Sequence, residues 1–112
     1  MVKVTFTESN KTLSLQLEGH AGQAEAGKDI VCASASILAY TVAQIVDMAQ
    51  YEGGLKTDPI IDLESGEAVI SCEPTDDRYA EMLHAYQVAE VGYILLVNSY
   101  PEYVELKSFG QA

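Results

Sequence analysis

The sequence predicts an α+β fold: a two-layer sandwich in the order ββαββα(β), with a mixed or antiparallel sheet packed on two helices. Three observations predict it. Two short alternating stretches open the chain, an alanine-rich run free of proline and glycine follows, and a second strand pair then leads into renewed helical periodicity.

Val2–Thr7 (VKVTFT) and Leu13–Gly19 (LSLQLEG) alternate apolar and polar residues, the signature of half-buried strands, and the SNK between them is turn chemistry. From Asp29 the pattern changes. Ile30–Tyr51 has no proline or glycine and carries apolar residues around most of the axis, which predicts a central, mostly buried first helix. Glu52–Gly54 (EGG) stops it, because glycine accepts the left-handed conformation of helix ends. Leu55–Pro74 reads as two strands joined by a turn at Glu64–Glu67, with Pro59 assigning its strand to an edge or bulge. Thr75 then offers a hydroxyl cap to a second helix over Asp76–Asn98, where Tyr79, Met82, Leu83, Tyr86, Ala89, Tyr93 and Val97 form one stripe. Tyr103–Phe109 (YVELKSF), after Pro101, supplies the closing strand.

A chain of 112 residues with 48% hydrophobic content is the material of one domain, residues 1–112. Its 17 acidic against 6 basic residues give a formal charge of −11, which repels phosphate backbones and suits a basic protein or peptide partner. Nucleic acid is therefore not an expected partner. The opening MVKVTFTES lacks a secretory core and no run is expected to span a bilayer, so a cytoplasmic location without membrane contact is expected. In that reducing compartment Cys32 and Cys72 are expected as free thiols. Neither a CxxC nor a zinc-spaced His/Cys cluster is present, so no metal or other cofactor is expected.

The chemistry concentrates in Gly19–Ser36, GHAGQAEAGKDIVCASAS. With Asp29 as N-cap, Cys32 falls at the third helical position, where free backbone N–H groups and the helix dipole favour an anion. Cysteines so placed, or beside a histidine, become nucleophiles at neutral pH. His20 ends the second strand, so sheet end and helix start can bring both side chains to one cleft. Asp29 has two open roles, capping the helix or orienting His20. Ser36 lies one turn beyond Cys32 on the same face and can hydrogen-bond a substrate or fix the loop. Gly22 and Gly27 either hinge a lid or belong to a plain connector. Cys72 reads as a core thiol and His84 as a solvated or partly buried helix residue. Most of the seven tyrosines read as core or subunit contacts, with one or two available to line a pocket. From the residues alone a catalytic dyad and a pair of structural residues both stand.

Gly19, His20 and Ala21, followed by Gly27, Asp29, Ile30, Val31, Cys32, Ala33 and Ser36, resemble the motifs of the bacterial ribosomal-processing cysteine protease family, Prp. The resemblance covers essentially the whole chain in length and element order. It implies an α+β homodimer in which His20 and Cys32 are the catalytic pair and Asp29 and Ser36 support them. Gly19, Ala21, Gly22 and Gly27 are expected beside that pair as small supporting or substrate-binding residues. The implied substrate is a large-subunit ribosomal protein carrying an N-terminal extension, cut after a segment containing adjacent aromatic residues during ribosome assembly.

Two other functions fit parts of the pattern. A non-catalytic acidic assembly factor would hold a basic ribosomal protein and need no thiol. A redox sensor would use a reactive Cys32 without hydrolysis.

Overall fold

The structure, a computed structural model, describes residues 1–19, 28–64 and 66–110, with the backbone alone at 28 and 29. The loop between His20 and Gly27 lies outside the described residues, so its open or closed state does too.

Strands β1 (Val2–Ser9) and β2 (Thr12–Glu18) form the opening hairpin. The Ser9–Thr12 pairing leaves a two-residue turn in which Asn10 and Lys11 have φ of 50° and 65°, the left-handed pair that matches strand twist. The Lys11 amide donates to the Glu8 carboxylate at 2.7 Å and holds that turn.

Helix α1 spans Lys28–Tyr51 and ends where expected, with Gly53 at φ 75° and the Gly54 amide bonded to the Ala49 carbonyl at 2.8 Å. Strands β3 (Ile60–Glu64) and β4 (Glu67–Cys72) flank the expected turn. After a 3₁₀ turn at Asp76–Arg78, helix α2 runs Tyr79–Ser99, and β5 (Val104–Lys107) closes the sheet.

The sheet order is β3-β4-β2-β1-β5, antiparallel except for the parallel β1–β5 pair. Pro59 thus precedes an edge strand, where a missing N–H does no harm. Alternation sets the core. Val4, Phe6, Leu13, Leu15, Ile70 and Cys72 point to the helices and are buried, as is Val104 of β5. From the opposite layer come Val31, Ala35, Val42 and Val46 of α1 and Met82, Tyr86, Ala89 and Tyr93 of α2. The two buried phenols are satisfied: Tyr86 donates to the Ile70 carbonyl at 3.1 Å and Tyr93 to that of Ala35 at 2.8 Å.

Four expectations need correction. Helix α1 is not buried all round: Ile30, Ile37, Tyr40, Met48 and Tyr51 are exposed, because the sheet and α2 cover only one side of it. Ile30–Tyr51 is also long and apolar enough to cross a bilayer by length and composition, contrary to the expectation of no such run. Here its Val and Ala stripe packs on the sheet. Asp29 is not an N-cap, since α1 already begins at Lys28 and a cap must stand outside the helical backbone. Thr75 does not cap α2: its hydroxyl donates to the Gly54 carbonyl at 3.3 Å, the 3₁₀ turn intervenes, and the cap position falls to Arg78. The Arg78 guanidinium instead clamps Glu52 at 3.0 Å and Glu81 at 2.9 Å.

Candidate active site

The first turns of α1 project over the sheet at the end where β2 finishes, β3 turns into β4, and β1 begins. Between them lies a cleft of about 340 Å³. Its floor includes Val2, Leu17 and Ala68 from the sheet. Cys32, Ser36 and Tyr40 line the helix wall, and Leu63 lines the strand wall. Glu64, Gly66 and Glu67 form the rim at the β3–β4 turn.

Cys32 is half-buried and opens into this cleft, a free thiol able to meet a substrate. It is the fifth residue of α1 rather than the third, one consequence of the helix starting earlier than its sequence suggests. Ser36 joins it on the same wall one turn along, as the spacing predicts. Gly19, also on the wall, has φ 90°, and a side chain there would run into the Met1 carbonyl oxygen. Its amide donates to the Gly66 carbonyl at 2.9 Å, extending the β2–β4 ladder by one bond. That bond fixes the residue immediately before His20. His20, Ala21, Gly22 and Gly27 themselves lie outside the described residues, and Asp29 is placed by its helical backbone alone.

The other cysteine, also a free thiol, sits in a different environment. Cys72 is buried in the core, its Sγ is 3.7 Å from the Tyr86 hydroxyl, and burial pushes its thiol above the ordinary 9.0. His84 is exposed on α2, as expected. Among the described residues no group of His, Cys, Asp and Glu could hold a metal ion.

Sequence reasoning did not single out Tyr40, Leu63, Glu64 or Glu67 for the site. Tyr40 was within reach, since a second four-residue step from Cys32 lands on it. Leu63 was not, because its position depends on how β3 registers against β4 beneath the helix.

An open cleft with a thiol on its helix wall provides the nucleophile and the access that a thiol-dependent hydrolase requires. Solved structures share the fold. SMU.848 from Streptococcus mutans matches with a TM-score of 0.69 at 25% identity, over 97% of this chain and 94% of that one. The essential ribosomal processing protease Prp from S. aureus, in complex with a substrate peptide, matches with a TM-score of 0.71 at 23% identity, over 96% and 99% of the two chains. The same protease with a covalently linked product peptide gives 0.70 at 24% identity, over 96% and 99%. None of the curated proteins matches the chain. The family model for cysteine protease Prp matches residues 1–105, so the chain belongs to the Prp family and is a cysteine protease.

Proposed function

We propose that residues 1–112 act as one cysteine-protease domain that removes the N-terminal extension of a large-subunit ribosomal protein during ribosome assembly. The reading rests above all on one observation: in a chain of the Prp family, Cys32 opens into the cleft while the other thiol is buried. The S. aureus relative with a substrate peptide supports a peptide ligand, and the formal charge of −11 suits a basic ribosomal protein.

In the proposed reaction the Cys32 thiol gives its proton to His20 as Sγ bonds to the scissile carbonyl carbon. Backbone N–H groups near the helix start hold the oxyanion. Collapse breaks the C–N bond, and His20 returns the proton to the leaving amine. A water deprotonated by His20 then attacks the thioester, releasing the acid and restoring the thiol. Asp29 is proposed as a supporting residue that orients the imidazole. Ser36 offers its hydroxyl to substrate, and Gly19, Ala21, Gly22 and Gly27 supply small residues around His20.

The enzyme is proposed to work as a cytoplasmic homodimer. Ile37 and Met48 of α1 and Val88, Val91 and Leu95 of α2 leave apolar surface on the outer side of the helix layer, which a second copy would cover. Incubation with the extended ribosomal protein, followed by mass measurement, tests the reading. The extension should be lost, and Cys32→Ala should abolish the loss. Equal truncation by Cys32→Ala would overturn it.

A further inference from the structure

The cleft continues beyond the thiol along α1. Cys32, Ser36 and Tyr40 follow one another at four-residue intervals and all line it. At 1.5 Å per residue, Tyr40 sits about 12 Å beyond Cys32, the span of roughly three to four residues of extended peptide.

Across from this stripe, Leu63 pairs in register with Ala68, whose side chain is buried beneath the helices, so Leu63 projects on the helix side of the sheet. Leu63 is 40% exposed and Tyr40 49%, and neither joins the buried core. An aromatic ring and an aliphatic side chain therefore border one cleft with their apolar surface uncovered.

We propose that Tyr40 and Leu63 form a specificity subsite that takes an apolar side chain of the substrate three to four residues from the scissile bond. The inference rests on Cys32 marking the position of that bond. The occupant is the peptide itself, because the subsite and the thiol lie in one continuous cleft. Ser36, midway along the stripe, faces the intervening peptide backbone.

Peptides lengthened one residue at a time on either side of the scissile bond, with leucine or aspartate at the added position, test the subsite. On one arm, kcat/KM should rise about tenfold when the third or fourth residue is leucine, the factor expected from burying one apolar side chain, and should not rise with aspartate. Tyr40→Ala and Leu63→Ser should collapse that long-to-short ratio towards one, while Tyr40→Phe should keep it. The same ratio read as peptide affinity in Cys32→Ala protein is independent of turnover. An affinity ratio that is preserved while the unsubstituted protein cleaves nothing would sink the catalytic reading and leave the subsite standing. A ratio that Tyr40→Ala leaves unchanged would overturn the subsite. So would dissociation of a dimer by Tyr40→Ala with that ratio intact, which would assign the ring to a second copy.

Discussion

The Tyr93 hydroxyl of α2 donates a 2.8 Å hydrogen bond to the Ala35 carbonyl of α1, tying the second helix to the turn that carries Cys32 and Ser36. The ring is fully buried, packs edge-on to Phe6 at 5.8 Å, and holds its proton well above the ordinary 10.0 because burial penalises the phenolate. Tyr93→Phe keeps the packing and removes the donor. The Ala35 oxygen still faces its own helical partner, so the loss should be about 1 to 2 kcal/mol, read from urea unfolding.

The two cysteines should separate cleanly by reactivity. Iodoacetamide applied to the folded protein should label Cys32 and spare Cys72, while denaturant should expose both; mass spectrometry of the fragments distinguishes them. Cys72→Ala should lower stability by roughly 1 to 2 kcal/mol through the cavity it leaves, with peptide cleavage retained.

Alkaline pH should destabilise the fold. Burial raises the Cys72 thiol above 9.0 and the Tyr86 and Tyr93 phenols above 10.0, so the unfolded chain releases these protons first. Stability from this source is complete below pH 9 and falls as pH climbs from there towards the higher folded-state values. Urea midpoints between pH 7 and pH 11 should show the decline, and Cys72→Ala should remove its earliest part. A flat profile across that range would contradict the burial argument.

Gly19→Ala combines two penalties, a left-handed backbone and a side chain against the Met1 carbonyl. The expected cost is about 2 to 3 kcal/mol by thermal or urea unfolding. Activity should fall further than stability alone would predict, because the Gly19–Gly66 bond fixes the residue before His20.

Ile37→Glu and Leu95→Glu place a charge on the exposed apolar side of the helix layer. If two copies meet there, each substitution should shift sedimentation from dimer to monomer and leave the monomer folded, since neither side chain belongs to the core.

Strands were the most legible part of the sequence. A sheet with one covered face forces alternation, so Val2, Val4 and Phe6, and Leu13, Leu15 and Leu17, announced both their pairing and their inward side. Helix α1 was harder to read. Apolar residues all round look the same whether a second layer of this chain covers them or nothing in it does, so the helix read as mostly buried although Ile37 and Met48 stand outside the core. The helix starts failed for a local reason. Asp29 and Thr75 are good caps by residue type, but capping depends on backbone angles: one lies inside its helix, and the other gives its hydroxyl to Gly54. Within the site, Cys32 and Ser36 were legible through one helical step, whereas Leu63 needed the β3–β4 register and the placement of α1 above it.

The parallel pairing of Val2 with Val104, reinforced by the Val2 amide donating to the Tyr103 carbonyl at 2.8 Å, joins the earliest strand of the chain to its latest. Val2 is also part of the cleft floor. The floor at Val2 is therefore braced by a strand that lies far along the sequence, so the surface that presents a peptide to Cys32 depends on the most non-local pairing in the sheet.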